Sequence, residues 1–282
     1  MRSANPKDMK QLNQGPRLAE ILRLLDERAF WTVSELAQRF EVSEETIRRD
    51  ARQLEQSGVV QKVHGGLSAT SNKIEAPYRI RLRENAAAKQ HIARKAAELV
   101  SDGMTLLIDS STSCHWLARN LASTRNLTIV TNSVEIAHEV LGNPGQRLLL
   151  AGGQINPIHN AAFGPEAQAF CQRFAPDLTI LSMGAVDAER GLLDFDADEA
   201  AFKQSLLGQA RRIVVLADHS KFTKSGFIQV AAFRDVQDLV TDKEPPAALR
   251  QACAEAGTRI HIAEGESNDL PQTGVSLARA GG

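Results

Sequence analysis

Cysteine is scarce in this sequence, and no segment is apolar for long enough to cross a membrane. The 282 residues include three cysteines, Cys114, Cys171 and Cys253, which lie far apart and form no CxxC pair. An odd number of separated cysteines argues against a disulfide framework and favours free thiols in a reducing cytosol. No apolar run approaches the roughly 18 residues that a membrane-spanning helix needs. We therefore expect a cytoplasmic globular protein without a membrane partner.

The chain also lacks an excess of basic charge and any familiar metal-binding pattern. Its formal net charge is −1, and residues 1–75 hold 12 Lys and Arg against 11 Asp and Glu, a difference of +1. Net charge therefore does not predict nucleic-acid binding, which has to be judged from where the charges lie. The seven histidines show no HxH or HExxH spacing, so we expect no metal site and no cofactor.

The two ends of the chain differ in composition from the rest. Residues 1–15 are polar and lack the apolar segment of a signal peptide, and residues 264–282 are polar and glycine-rich. We expect a frayed tail at the first end and a disordered tail at the second. Hydrophobic residues make up 43% of the sequence, enough for an ordinary core between them.

The N-terminal part of the chain carries the helix signals of a helix-turn-helix domain. Apolar residues at helical spacing predict a first helix over residues 16–28. Thr32 and Glu35 form a capping box that begins a short second helix. Ser43 is a good N-cap for a third helix over residues 44–56.

Two short alternating strands follow these helices. They cover residues 59–63 and 67–69, and His64-Gly65-Gly66 forms a tight turn between them. Three helices followed by a hairpin are the layout of a winged helix. Residues 16–70 are therefore predicted to bind DNA, with the third helix entering the major groove.

Polar side chains of the predicted third helix point away from the core, because Ile47, Ala51 and Leu54 share its apolar face. Arginine suits guanine edges or phosphates, hydroxyls near a helix N-terminus can reach a phosphate, and glutamate can accept from cytosine. Together with two hairpin residues, the candidate DNA contacts are Ser43, Glu44, Glu45, Thr46, Arg48, Arg49, Arg52, Lys62 and His64.

The same arginines could instead form a solvated helix surface. Arg48 lies four residues after Glu44, and Arg49 lies four residues after Glu45, which is the spacing of intrahelical ion pairs. For an isolated helix this interpretation would be preferred. The capping box, the turn, the arginine pair and the hairpin follow one another in the order of a DNA-binding domain, which favours the DNA-reading interpretation.

Beyond a polar stretch predicted as a linker over residues 71–85, apolar strands alternate with helices. A first helix is predicted over residues 86–100. The predicted strands cover residues 104–108, 127–131, 147–151, 178–182, 213–217, 238–241 and 259–262. The helices between them cover residues 114–122, 134–141, 165–174, 199–210 and 247–256. This alternation predicts an α/β domain over residues 86–263, with a mostly parallel sheet covered by helices on both faces.

Small polar residues follow three of the predicted strands. They are Asp109-Ser110-Ser111-Thr112-Ser113, Thr131-Asn132-Ser133 and Gly152-Gly153. Hydroxyls and backbone N–H groups at a helix N-terminus can cradle an anion, and ligands of parallel sheets bind beyond the carboxyl ends of the strands. One such loop alone is more commonly a helix cap. Several loops together with Lys203 and Lys221 favour a ligand site.

A family resemblance rests on Val42-Ser43, Thr46-Ile47-Arg48-Arg49-Asp50, Leu54, Gly58 and His64-Gly65-Gly66. This run resembles the signature of the DeoR family of bacterial sugar-metabolism regulators, and the resemblance extends over roughly residues 17–262. It implies a homo-oligomeric repressor, dimer or tetramer, bound to double-stranded operator DNA. It also implies a sensor domain similar in fold to ribose-5-phosphate isomerase. Ala51 departs from the leucine usual in the family.

The resemblance further implies that the strand-end loops bind a phosphorylated sugar or related metabolite. The residues implied are Asp109, Ser110, Ser111, Thr112, Ser113, Thr131, Asn132, Ser133, Gly152, Gly153, Glu199, Lys203, Asp218 and Lys221. Ser111 and Ala185 stand where the family commonly has glycine, and Ser113 where it has threonine. Residues 192–196 and 218–222 are similar to the glycerol-3-phosphate repressor branch, which suggests glycerol 3-phosphate as the effector.

A sugar-phosphate isomerase with an accessory DNA-binding head is the alternative. The fold allows it, although fold alone does not determine function. Isomerisation needs a general base near the reacting carbon, and Asp109, Asp187, Glu199 and Asp218 lie in no motif that supports such a base. The sequence therefore predicts a regulator without catalytic residues.

Overall fold

The computed structural model describes residues 16–27, 30–56, 60–63, 66–69, 78–209 and 211–263. Both predicted tails, His64 and Gly65 of the predicted hairpin turn, and residues 71–77 of the predicted linker lie outside the described residues. Within the described part, no helix is both long and apolar enough to cross a membrane.

Three helices and a small sheet form the N-terminal domain. Its elements are α1 (Pro16–Glu27), β1 (Phe30–Thr32), α2 (Val33–Arg39), α3 (Glu44–Gln56), β2 (Val60–Val63) and β3 (Gly66–Ala69). The strands are antiparallel in the order β1-β3-β2. Ile21, Leu36, Ile47, Leu54 and Leu67 meet in one core. The predicted winged helix is confirmed. Strand β1 was not predicted, because three residues are too few to show a strand pattern.

The predicted caps position the second and third helices. Thr32 Oγ1 accepts a hydrogen bond from Glu35 N at 3.0 Å, and Glu35 Oε2 accepts one from Thr32 N at 2.8 Å. Ser43 Oγ accepts from Thr46 N at 3.2 Å at the start of α3. These bonds satisfy N–H groups that a helix leaves without internal partners, so both helix starts are fixed locally.

Two helices precede the large sheet, α4 (Tyr78–Arg83) and α5 (Ala86–Ala97). Helix α4 lies in the stretch predicted as linker, and the sequence analysis missed it. Its six residues are too few to show an apolar period, and tertiary contacts hold it. Tyr78 is buried, its N–H donates to Ile158 O at 2.9 Å, and Arg81 is buried as well.

The remaining strands are β4 (Thr105–Ile108), β5 (Thr128–Thr131), β6 (Arg147–Leu150), β7 (Ile155–Asn156), β8 (Ala161–Ala162), β9 (Leu178–Ser182), β10 (Ala185–Asp187), β11 (Gly191–Asp194), β12 (Ile213–Leu216), β13 (Ile228–Ala231), β14 (Asp238–Thr241) and β15 (Arg259–Ile262). The remaining α-helices are α6 (Thr112–Asn120), α7 (Val134–Val140), α8 (Pro165–Cys171), α9 (Ala197–Leu206) and α10 (Ala247–Ala256).

Seven of these strands form one parallel sheet in the order β15-β14-β12-β9-β4-β5-β6. Alternate residues face opposite sides, so Leu107 and Val130 join one core, and Leu106 and Ile129 join the other. Helices α5 and α6 cover the second face, and α8, α9 and α10 the first. The predicted sheet, with all seven of its strands, is confirmed.

Short antiparallel strands lie outside the large sheet and were not predicted. One small sheet has the order β10-β11-β13, and another pairs β7 with β8. These strands have two to four residues and show no clear alternation, so only their partners define them. Gly191, at a φ of 78°, makes the tight turn into β11, where an added Cβ would meet Ala231 O.

Candidate DNA-reading and effector sites

Helix α3 presents the predicted polar face to solvent. Ile47, Ala51 and Leu54 are at most 1% exposed and pack into the N-terminal core, whereas Arg49 and Arg52 are exposed. The orientation deduced from helical spacing is therefore confirmed. The side chain of Ala51, where the family commonly has leucine, is enclosed in the N-terminal core.

Ion pairs engage two of the three arginines. Arg48 Nη2 lies 2.6 Å from Glu44 Oε2, and Arg52 Nη2 lies 3.3 Å from Glu45 Oε1. Arg49 has no ion pair with any residue that the structure describes. Exposed pairs of this kind contribute at most about 1 kcal/mol, so a phosphate or base edge can displace them at little cost.

A partly buried ion pair joins the first and third helices. Arg17 Nε and Nη2 donate to the two oxygens of Asp50 at 2.6 and 3.2 Å. Asp50 is 5% exposed, so its carboxylate serves the packing of α1 on α3. Of the hairpin candidates, Lys62 lies in β2 without a described side chain, and His64 lies outside the described residues.

The carboxyl ends of the large sheet hold a lysine enclosed by three carboxylates, which we call the Lys203 cluster: Asp109, Asp194, Glu199 and Lys203. Lys203 Nζ lies 2.8 Å from Glu199 Oε1, 2.9 Å from Asp194 Oδ2 and 3.7 Å from Asp109 Oδ2. It also donates to Ser182 O at 2.6 Å. Every member is 2% exposed or less.

The ammonium group of this cluster is fully occupied by acceptors of the chain. Burial alone would lower the pKa of Lys203, but Asp194, Glu199 and Asp109 raise it well above the usual range. An ammonium has three N–H donors, and Ser182 O, Asp194 and Glu199 take them. The cluster therefore carries negative charge overall.

A basic group, which we call the Lys89 cluster, lies beside it: Arg81, Lys89, Lys221, Thr112 and Asp218. Lys89 Nζ donates to Arg81 O at 2.5 Å and to Thr112 Oγ1 at 3.0 Å. Asn85 Nδ2 donates to Asp218 Oδ1 at 2.9 Å. The cluster brings three cationic side chains and one carboxylate together at the start of α6.

Burial and neighbouring charges shift the pKa values of Lys89 and Asp218. Burial, together with the charges of Lys221 and Arg81, lowers the pKa of Lys89 to about 8, although Asp218 opposes the shift. Burial would raise the pKa of Asp218, yet Lys221, Ser220 and Lys89 hold it below the usual range. An unbalanced cation at the carboxyl end of a sheet favours an anionic ligand.

His159 connects the two clusters. Its Nδ1 atom lies 3.1 Å from Arg81 Nη2 and 3.4 Å from Glu199 Oε2, and the ring is 2% exposed. Its Nε2 atom lies 3.9 Å from Asp196 Oδ2. Residues from α4, α9 and the loop before β8 therefore meet at one imidazole.

The other predicted effector residues lie in or beside these loops. Ser111 Oγ accepts from Cys114 N at 3.1 Å and caps α6, and Ser133 Oγ accepts from Ile136 N at 3.2 Å and caps α7. Asn132 Oδ1 is buried and has no hydrogen-bond partner among the described residues. Ser110, Ser113 and Thr131 are buried, whereas Gly152 and Gly153 are exposed at the end of β6.

Sequence reasoning missed Lys89, Arg81 and His159. Lys89 lies on the buried side of α5, three and four residues before Ile92 and Ala93. A lysine on the apolar face of a helix was a usable signal. Arg81 fell in the predicted linker. Among the described residues, no group of three or more His, Cys, Asp or Glu side chains could hold a metal ion.

A winged helix joined to an α/β domain with a polar site at its strand ends defines a class of protein, the ligand-responsive transcriptional regulator. Residues 17–73 match the DeoR-like helix-turn-helix domain, and residues 84–243 match the DeoR C terminal sensor domain. The chain belongs to the DeoR family and is a DNA-binding transcriptional regulator, as the sequence predicted.

Curated relatives align over nearly the whole chain. The HTH-type transcriptional repressor CsqR of Escherichia coli is 31% identical over 252 residues, which cover 89% of this chain and 97% of that protein. The glycerol-3-phosphate regulon repressor of the same organism is 30% identical, with 89% and 100% covered. The transcriptional repressor AccR of Agrobacterium fabrum is 33% identical, with 80% and 88% covered.

Among solved structures, ribose 5-phosphate isomerase A from Methanocaldococcus jannaschii is similar to this chain with a TM-score of 0.37 and 17% identity. The match covers 50% of this chain and 56% of the isomerase. A TM-score below 0.5 is too low for activity to be transferred from that enzyme.

Proposed function

We propose that this protein represses a sugar or polyol catabolic operon and is released from its operator by a small phosphorylated metabolite. The relatives named as glycerol-3-phosphate regulon repressors support an effector of that size and charge. The single observation that carries the proposal is the buried ammonium of Lys89 near the carboxyl end of β4, which donates to the neutral oxygens of Arg81 O and Thr112 Oγ1. We also propose a homo-oligomer, since paired winged helices suit repeated half-sites.

For DNA recognition, we propose that Arg49 makes the main base or phosphate contact of α3. It is exposed and has no ion pair among the described residues, so its guanidinium needs no rearrangement to meet DNA. Arg48 and Arg52 would first have to leave Glu44 and Glu45. Ser43 and Thr46 lie at the helix N-terminus, where a phosphate is favoured.

For the effector, we propose that the Lys89 cluster binds the phosphate and the Lys203 cluster faces the hydroxyl end. Lys89 donates only to two neutral acceptors in its described contacts, so an anion would be a better partner for its ammonium. Carboxylates such as Glu199 suit hydroxyl donors, and Asn132 Oδ1 offers a further buried acceptor. Lys203 would orient the carboxylates rather than touch the phosphate.

For the transmission of the signal, we propose helix α4. Lys89 Nζ binds the carbonyl of Arg81 in α4, and α4 follows directly on the segment that leads from the DNA-binding domain. A phosphate that attracts the Lys89 ammonium would weaken its bond to α4. The altered position of α4 would then bias the spacing of the DNA heads.

Operator binding at fixed salt tests the DNA contact. Arg49→Ala should weaken binding by about tenfold or more, because a guanidinium contact is lost. Arg23→Ala is the matched control, since Arg23 is an exposed arginine of α1 paired with Glu20, and it should leave the affinity unchanged. Equal affinities for both variants would contradict the assignment of Arg49.

Titration with glycerol 3-phosphate and a panel of sugar phosphates tests the effector site. Lys89→Met should abolish the response of the protein–operator complex while operator binding itself remains. Lys95→Met removes an exposed lysine from the same helix and should respond normally. A normal response in Lys89→Met would refute the phosphate assignment. Conversion of ribose 5-phosphate to its isomer would favour the enzyme alternative.

A further inference from the structure

A cavity lies at the amino-terminal ends of β4, β5 and β6. The Lys203 and Lys89 clusters lie at the other end of the sheet, beyond the carboxyl ends of the strands. The cavity has a volume of about 520 Å³ and is lined by Thr105, Thr128 and Arg147, the first residues of β4, β5 and β6. Phe170 and Phe174, from α8 and the turn after it, form the other wall. The volume falls within the range of small-molecule sites.

The cavity lies over one face of the sheet. Thr105 pairs with Thr128, and Thr128 with Arg147, so the three side chains form one row on the same face. Helix α8 packs into the core on that face through Ala167 and Cys171. The rings of Phe170 and Phe174 line the cavity together with this row.

Two arginines give the cavity a positive charge that no acidic side chain of the described residues neutralises by an ion pair. Arg147 and Arg173 are both exposed at its rim, and neither has an ion pair with any residue in the described ranges. The guanidinium carbon of Arg173 lies 5.9 Å from the centre of the Phe170 ring. The nearby Asp177 is engaged elsewhere, because its Oδ2 accepts from Thr105 N at 2.9 Å and its Oδ1 lies 3.8 Å from Arg211.

The aromatic wall is half-buried and ordered by its own contacts. The Phe170 and Phe174 rings pack edge to face with their centroids 5.3 Å apart. Such a wall favours a flat apolar group, two guanidinium groups favour a carboxylate or phosphate, and the threonine hydroxyls can donate to its oxygens. A sugar phosphate has no apolar body to match this wall.

We propose that this cavity is a second ligand site, separate from the effector site, for an organic anion with an aromatic body. The ligand's acidic group lies between Arg147 and Arg173, and its ring lies against Phe170 and Phe174. The proposal is independent of the effector assignment, since no residue is shared between the two sites.

Phenyl phosphate is the probe, tested by calorimetry and by amide chemical-shift mapping of the full-length protein. We expect shifts centred on Thr105, Thr128 and Arg173, and binding that saturating glycerol 3-phosphate does not displace. Arg147→Met and Arg173→Met should each weaken binding about tenfold. Arg234→Met, an exposed arginine outside the cavity, should bind as the unmodified protein does. Benzyl alcohol, which lacks the charge, should not bind detectably.

Several outcomes would overturn the proposal. Phenyl phosphate that is displaced by glycerol 3-phosphate, or lost in Lys89→Met, would be bound at the effector site instead. Shifts scattered over the surface, or equal affinity in all three arginine variants, would mean nonspecific charge attraction. If phenyl phosphate does not bind, and Arg147→Met changes the oligomeric state, the surface is an interface between copies of the chain instead. Because both arginines are exposed, unchanged thermal midpoints are expected and serve as the folding control.

Discussion

Replacement of Lys203 by methionine removes the cation that lies among three buried carboxylates. Lys203 Nζ lies 2.8 to 3.7 Å from oxygens of Asp109, Asp194 and Glu199, and every group is 2% exposed or less. Methionine keeps most of the side-chain volume, so the change is chiefly electrostatic. Loss of one partner of a buried ion pair costs about 3–5 kcal/mol, because the remaining charges stay buried without compensation.

The free energy of unfolding lost in Lys203→Met should depend on pH. The direction of that dependence distinguishes an electrostatic cause from a loss of packing. Without Lys203, mutual repulsion and burial raise the pKa values of the three carboxyl groups in the folded state. A group whose folded pKa is raised contributes stability that is present at low pH and is lost as the pH rises through that folded value. The deficit of Lys203→Met relative to the unmodified protein should therefore be small near pH 4 and largest near pH 8.

Denaturant unfolding between pH 4 and pH 8 measures this directly. At neutral pH the thermal midpoint should fall by about 6–20 °C for a domain of this size. Lys95→Met is the control, because Lys95 forms an exposed pair with Glu98 at 2.7 Å and should cost at most about 1 kcal/mol. A loss in Lys203→Met no larger than in this control, or one that does not vary with pH, would refute the electrostatic account of the cluster.

Three further predictions concern other parts of the chain. Asp50→Ala should destabilise the DNA-binding domain by roughly 1–2 kcal/mol, seen by denaturant unfolding, since it breaks the double hydrogen bond from Arg17. Thr32→Ala should cost about 1 kcal/mol by the same measurement through loss of the capping box, and Thr32→Ser should restore most of it. Effector affinity, measured by calorimetry, should fall as the pH rises above about 8, because Lys89 then loses its proton. An affinity that stays constant between about pH 7 and about pH 9.5 would exclude Lys89 as the phosphate ligand.

Local pattern was enough to predict most of the secondary structure. The strands Leu178–Ser182, Asp238–Thr241 and Arg259–Ile262 and the helix Ala247–Ala256 have the predicted bounds. Each segment has apolar residues at strand or helix spacing, so the signal lies within the segment itself. The starts of α2 and α3 were predictable for a similar reason. Their caps, Thr32 and Ser43, bind N–H groups only three positions away.

The short elements could not be predicted this way. Strand β1 has three residues and exists because β3 lies beside it, and α4 has six residues held by contacts with a distant loop. Such elements gain too little from their own hydrogen bonds to be stable alone. Their sequences therefore carry no period that could be recognised.

The positions of the candidate effector loops could be predicted, but the charged groups that meet there could not. Asp109 could be assigned to a strand end from the order of the elements, because the carboxyl ends of parallel strands lie at the same end of the sheet. The sequence did not indicate that Lys203 is surrounded by carboxylates, or that Lys89 is a buried cation beside Thr112. Those facts depend on which strands are neighbours.

The sequence by itself determined the two domains, the direction of the α3 side chains and the family, because periodicity, caps and motif spacing are properties of adjacent residues. The tertiary structure decided which charges meet. Asn85 reaches Asp218 across 133 positions, and Ser182 reaches Asp109 across 73. The pairing of β9 with β4 brings Ser182 to Asp109, and the packing of α5 on the sheet beside β12 brings Asn85 to Asp218. Neither contact can be read from adjacent residues.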